Sequence, residues 1–271
     1  MPGAVPRPII TLTTDFGVGS PYVAVMKGVM LSINPEVELI DITHAIPPQD
    51  VRAGALALEQ ACGWFPAGAI HVAVVDPGVG SERRIVLANF GGQWAIGPDN
   101  GLLSRLALRW PNSTIRRLDR PEFWLPEVSA TFHGRDVFAP VAAFLATGGL
   151  LSSLGPSIGD PIRLSWAPIE RVARGVRAQV LRSDSFGNLQ TRLRREDLPL
   201  WGEVSTYLIR EGEPPLGLGP IRRTYSDGAA GQLLPLWGSS GRLELAMNLG
   251  SAAHHVGFHP ARPISVQVDW K

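Results

Sequence analysis

Residues 70–84 read IHVAVVDPGVGSERR. Ile70 to Val75 form an apolar run interrupted only by His71. A run of this length, closed by turn residues, predicts a strand buried on both faces. The run ends at Asp76-Pro77-Gly78, and the polar residues Ser81, Glu82 and Arg83 follow directly. A doubly buried strand belongs in a sheet with helices on both sides, and the flanking sequence supplies them. Upstream, residues 51–65 carry Val51, Ala55, Leu58, Cys62 and Phe65 at helical spacing, and residues 37–42 read as a strand. Residues 21–33 predict another helix with Tyr22, Val25, Met26, Val29, Met30 and Ile33 on one face. Pro21 suits its first turn and Asn34-Pro35 stops it. Residues 8–13 predict the first strand. Downstream, residues 84–89 and 93–97 flank Gly91-Gly92 as a hairpin, and helices are expected at 101–109 and 136–147. Asp50 and Asp136 precede helical patterns and read as N-caps.

This alternation predicts an α/β N-terminal domain with a mostly parallel sheet. The pattern changes at 148–166, a stretch rich in Gly, Ser and Pro that reads as a linker. Beyond it come short β-type runs at 174–181, 204–210, 231–237, 242–247 and 264–269, and no long helix. They predict a small all-β, antiparallel-barrel domain. The expected domains are 1–165 and 166–271.

Composition narrows the function classes. The chain has 271 residues, 45% of them hydrophobic and 18% charged, so it is expected to fold into packed domains. Its 25 cations and 24 anions leave a formal charge of +1, which argues against binding nucleic acid by bulk charge. A single cysteine, Cys62, excludes an internal disulfide framework and a Cys-based zinc site, and its apolar neighbours predict a buried thiol. No apolar run approaches the roughly 20 residues that span a bilayer. The start MPGAVPRPII lacks the pattern of a signal peptide. The expectation is a cytoplasmic protein without membrane or nucleic-acid partners.

Polar residues crowd the ends of the expected strands, where open α/β sheets bind ligands. The clusters are 13–17, 76–83, 131–136, 184–188 and 238–241. Gly78 and Gly80 lack the third glycine of a dinucleotide fingerprint, and no Walker-type loop is present. Gly238-Ser239-Ser240-Gly241 is one residue short of a nucleophile elbow. None of the six histidines has HExxH spacing, so no metal site is expected. His71 reads as a satisfied core group and His254, His255 and His259 as surface residues. His44, at a strand end, reads equally well as structure or as site.

Seven motifs occur in order: TLTTDFG (11–17), ELIDITHAIPPQDV (38–51), VAVVDPGVGSERR (72–84), IGPDNGLL (96–103), TFHGRDVFAP (131–140), DSFGN (184–188) and GRLELAMNLGSA (241–252). Together they resemble the S-adenosylmethionine (SAM) hydroxide adenosyltransferase family, relatives of SAM-dependent fluorinating and chlorinating enzymes. The resemblance runs from about residue 8 to residue 268. It implies an α/β domain followed by a β-barrel, and trimers with active sites between one subunit's N-terminal domain and its neighbour's C-terminal domain. The implied reaction is attack of water at C5′ of the ribose, releasing adenosine and L-methionine, with SAM as substrate and no cofactor.

The resemblance implies a catalytic triad of Asp76, Arg83 and His133. It leaves open which of Asp76 and His133 takes the proton. Asp76 stands where the halogenating relatives carry a non-acidic residue beside the halide, and a carboxylate there repels an anion. Asp15, with Phe16 beside it, matches the aspartate that binds both ribose hydroxyls. Asp184 matches the residue holding the methionine ammonium. Phe186 and Asn188 are expected at the adenine, and Ser239 and Ser240 at the methionine carboxylate. Backbone near Met247 and Leu249 is expected at the adenine edge, and Glu244 is a further substrate-binding candidate. Gln49 replaces a Trp of the halogenating relatives. A SAM-dependent chlorinase and a non-catalytic SAM or adenosine sensor are the competing readings.

Overall fold

The computed structural model describes residues 7–199 and 203–270. The reading of the N-terminus as lacking a signal peptide rests in part on residues 1–6, outside them. The chain divides into two compact units, with the break between Leu164 and Ser165.

The first unit holds a seven-stranded sheet: β1 (Ile9–Thr14), β2 (Glu38–Thr43), β3 (Ile70–Val74), β4 (Ile85–Phe90), β5 (Gln93–Pro98), β6 (Thr114–Arg117) and β7 (Ser157–Ile158), in the order β2-β1-β3-β5-β4-β6-β7. Its helices are α1 (Pro21–Ile33), α2 (Val51–Cys62), α3 (Ser104–Arg109) and α4 (Ala139–Ala146). Every residue of β3 is buried. Strand alternation sends Val72 and Val74 to one core, with Ile10, Leu12, Met26, Met30 and Val141. Ala73 and Val75 enter the other, with Leu58, Cys62, Leu102 and Leu106. The doubly buried strand therefore has a hydrophobic layer on each side, as its apolar run requires.

The sheet is mixed, which corrects the expectation of a mostly parallel one. β2-β1, β1-β3 and β3-β5 are parallel pairs, whereas β5-β4, β4-β6 and β6-β7 are antiparallel. The cause is local. Gly91 and Gly92 take φ of +53° and +79°, a two-residue turn that reverses the chain at once. A parallel neighbour needs a longer crossover.

Two helix expectations also change. In α1 the buried residues are Val23, Met26 and Met30, while Tyr22, Val25 and Ile33 are exposed. Asp50 caps α2 as expected, accepting from Ala53 N–H at 2.9 Å. Asp136 is not an N-cap. A π-helical turn, Gly134–Phe138, precedes α4, and Asp136 lies within it. Its buried carboxylate accepts from Ser129 N–H at 2.8 Å and pairs with Arg135. The stretch expected to be a linker contains β7, which extends the sheet.

The named strands of the second unit pair only antiparallel: β8 (Glu170–Val172), β9 (Gly175–Ser183), β10 (Leu189–Arg194), β11 (Val204–Ile209), β12 (Leu216–Gly219), β13 (Leu233–Trp237), β14 (Arg242–Met247) and β15 (Ser265–Trp270). The strand order is β12-β11-β15-β9-β10-β14-β13, with β8 beside β9. Arg222, just beyond β12, bridges Leu236 of β13, so the sheet nearly closes on itself. One short helix, α5 (Ala252–His255), packs against it.

Candidate active site

In the first unit β1 is followed by α1 to its left neighbour β2, and the chain then returns across β1 to β3. The order reverses between β1 and β3, and ligands bind beyond the carboxyl ends of strands at such a switch point. Asp15 follows β1 and Asp76 follows β3, so both occupy it. A cavity of about 240 Å³ opens there, lined by Asp15, Phe16, Gln49, Asp76, Thr131, Phe132 and His133 among others.

Three segments converge on Asp76. Its own loop is tied down where Asn100 Nδ2 donates to Val75 O at 2.9 Å. Arg83 returns on the same loop, which passes Gly80. Gly80 has φ +79°, and a Cβ there would lie 2.2 Å from Ala130 O, so the loop packs against residue 130 only with glycine. Arg83 grips Asp76 bidentately, Nε donating to Oδ1 at 2.7 Å and Nη2 to Oδ2. Both side chains are almost fully buried. The third segment is the π-helical turn, with His133 at its N-terminal boundary. Single π turns of this kind recur at functional sites. His133 Nδ1 lies 2.9 Å from Arg83 Nη2.

That contact settles a proton. A guanidinium only donates, so Nδ1 must accept and the hydrogen of neutral His133 sits on Nε2. Burial, and then the charge of Arg83, hold the His133 pKa below its ordinary value, against the pull of Asp76 and Asp136. Asp76, Arg83 and His133 thus form one connected unit at the cavity wall.

On the opposite wall, Asp15 Oδ2 accepts from Gln49 N–H at 2.8 Å. Gln49 adopts φ +66°, a left-handed conformation that is costly for a residue with a side chain. Phe16, Tyr22 and Phe132 meet edge-to-face at 5.2–5.9 Å beside the cavity. The exposed Tyr22, which the helical pattern placed on one face with Met26 and Met30, joins this cluster.

The second unit gathers the remaining candidates around the β10–β14 pair. Asp184 organises the turn between β9 and β10. It accepts from Phe186 N–H and Asn188 N–H, both at 2.9 Å, and from Asn188 Nδ2 at 3.0 Å. Gly187, with φ +85°, lies so close to Ser251 that a Cβ would fall 2.0 Å from its Oγ. Phe186 and Leu249 are strongly exposed, at 79% and 88%. Met247 closes β14. Ser239 and Ser240 form the tip of the β13–β14 hairpin, and Ser240 Oγ is buried without a partner.

Glu244 lies between these groups, paired in register with Gln190, whose Nε2 donates to it at 3.0 Å. Burial, and then the charge of Asp184, raise the Glu244 pKa. Tyr225 is raised by burial and by the same two carboxylates, which brings it into the cluster. Neither Tyr225 nor Gln190 was visible as a site residue in the sequence, because neither lies in a motif at a strand end. Among the described residues, no group of three or more His, Cys, Asp or Glu is placed to hold a metal ion. No helix among them is long and apolar enough to cross a membrane.

Comparison with known proteins identifies the family. Residues 10–155 match the SAM hydroxide adenosyltransferase N-terminal domain and residues 178–265 its C-terminal domain. An (R)-S-adenosyl-L-methionine hydrolase of Salinispora tropica is 41% identical, with 96% of this chain and 98% of that protein covered. One of Thermus thermophilus is 40% identical over 95% and 98%. A fluorinase of Nocardia brasiliensis is more distant, at 30% over 97% of each chain. Among solved structures, an uncharacterized conserved protein from Thermotoga maritima superposes with a TM-score of 0.88 at 32% identity, covering 95% of this chain and 99% of that one. Matches to both domain models, and hydrolase relatives along nearly the whole length, place the chain in the SAM hydroxide adenosyltransferase family.

Proposed function

We propose that this chain hydrolyses SAM to adenosine and L-methionine, with water attacking C5′ of the ribose. The observation that carries the mechanism is the Asp76-Arg83-His133 unit at the cavity wall. A C5′–O bond forms as the C5′–S bond breaks, and the bonding pair returns to sulfur as a neutral thioether. Such a leaving group needs no acid and no Lewis acid; the remaining task is to activate and place a water. With Nδ1 occupied by Arg83 and Nε2 protonated, His133 acts as a donor that orients the water. The proton therefore goes to Asp76. Arg83 fills one lone pair on each Asp76 oxygen, and Asp76 lines the cavity. A base so placed contributes about 10²–10⁴-fold, and holding the water in line with C5′ supplies much of the rest.

The substrate contacts follow the family resemblance. Asp15 takes the ribose hydroxyls, with Gln49 N–H holding one of its oxygens and the other free; Phe16 packs beside it. Asp184 takes the methionine ammonium, with Glu244 nearby. Phe186, Asn188 and the backbone at Met247 and Leu249 meet the adenine, and Ser239 and Ser240 the carboxylate. On the same reading the working form is a cytoplasmic homotrimer with active sites between subunits, and it needs no cofactor.

The test is chromatography of purified protein incubated with SAM, with and without molar chloride. Adenosine and methionine in both samples are the expected result. A 5′-chloro product that grows with chloride would make the protein a chlorinase. No product, with an adenosine species released on denaturation, would make it a sensor.

A further inference from the structure

His44 lies outside the proposed catalytic unit, yet two of its atoms touch the loop that presents Asp15. Its Nδ1 is 2.9 Å from Thr14 Oγ1. Its carbonyl accepts from Gly17 N–H at 2.9 Å. Thr14 Oγ1 in turn accepts from Phe16 N–H at 3.2 Å. Asp15 is therefore bracketed on both sides by residues that His44 holds. The far side of the ring faces a charge pair: Nε2 is 3.0 Å from Asp41 Oδ1, off the line of a straight hydrogen bond, and Asp41 Oδ2 accepts from Lys27 Nζ at 2.6 Å.

The arrangement fixes directions. Asp41 only accepts, so the ring hydrogen belongs on Nε2 and Nδ1 takes the hydroxyl hydrogen of Thr14. The hydroxyl oxygen is then left to accept from Phe16. Asp41, His44 and Thr14 have the order of a nucleophilic triad, but Thr14 is fully buried and its oxygen is committed to Phe16. A hydroxyl so placed does not attack a substrate.

We infer that His44 is a positioning residue, which through Thr14 and Gly17 sets the Asp15 loop for binding the ribose of SAM. The contacts run from Lys27 on α1 through Asp41 within β2 to His44 and the Asp15 loop. The inference rests on the proposed contact between Asp15 and the ribose, so its test includes Asp15→Ala.

The experiment measures SAM affinity by titration calorimetry together with kcat and KM. His44→Ala removes one partly buried hydrogen bond, and Kd and KM are expected to rise about tenfold with kcat within about twofold. His44→Asn, whose amide reaches the Nδ1 position, should restore most of the affinity. Thr14→Val should weaken binding at least as much as His44→Ala, because it also leaves Phe16 N–H without its acceptor, and the double variant should weaken it no further than Thr14→Val alone. Nitrogen NMR of the native protein reads the tautomer without any variant: Nδ1 should be bare. Unchanged affinity in His44→Ala beside weakened Asp15→Ala would overturn the inference alone, as would an additive double variant or a protonated Nδ1. Unchanged affinity in Asp15→Ala would sink both the ribose assignment and this inference.

Discussion

Replacing Asp76 by Asn removes one negative charge and little volume. The Asn oxygen still accepts from Arg83 Nε, now 2.7 Å from Oδ1, but its amide nitrogen faces Arg83 Nη2, a second donor. Two effects follow. On the proposed mechanism the attacking water loses its base, and kcat should fall about 10²–10⁴-fold while KM changes less than about threefold. The cavity also loses the charge that opposes an anion. A chloride about 4 Å from a carboxylate, at an effective dielectric near 20, is disfavoured by about 4 kcal/mol. That corresponds to roughly 10³-fold in chloride occupancy. The assay is chromatographic separation of adenosine from 5′-chloro-5′-deoxyadenosine at increasing chloride, for both proteins. Asp76→Asn should lose most adenosine formation and admit chloride more readily than the wild type. A variant that makes adenosine within about threefold of the wild-type kcat would refute the assignment of the base.

Three further outcomes follow from the fold. His71 is buried between Thr11 and Gln93, and burial lowers its pKa to about 4. Its unfolded pKa is near 6.5, so the unfolded chain takes up a proton first as pH falls. About 3 kcal/mol of stability, complete above pH 6.5, should be lost progressively toward pH 4, and His71→Gln should flatten that part of a denaturation-versus-pH curve. Cys62 is buried and its thiol pushed up to about 12, so thiol reagents should label it only after denaturation. Gly80→Ala forces a Cβ against Ala130 O; thermal melting should show a loss of about 1–3 kcal/mol, with kcat falling as the Arg83 loop shifts.

Much of the first unit was legible because burial imprints a period on the chain. β3 and α2 declared themselves through apolar spacing, and the Gly91-Gly92 turn announced its hairpin. Which hairpin strand pairs with β3 is a long-range choice that no local pattern encodes. It is β5, which lies parallel to β3, while the hairpin itself makes the sheet mixed. α1 misled because Tyr22, Val25 and Ile33 are apolar but exposed, and Tyr22 instead joins the aromatic group at the cavity. β10 went unread because Gln190 and Thr191 are polar yet buried, satisfied by Glu244 and by Leu243 O. The motif loops identified Asp15, Asp76, Arg83 and His133 as candidates. The sequence left the proton on His133 open, because it depends on a contact between residues fifty positions apart. The hold of His44 on the Asp15 loop was likewise hidden, since Thr14 lies thirty positions away.

The central claim is that water attacks C5′ with Asp76 as its base. The most direct test is turnover of SAM in heavy-oxygen water, with mass spectrometry of the products. One heavy oxygen is expected in the 5′-hydroxyl of adenosine, none in methionine, and labelled adenosine should be lost in Asp76→Asn. Adenosine without the label, label appearing in methionine, or undiminished labelling by the variant would contradict it.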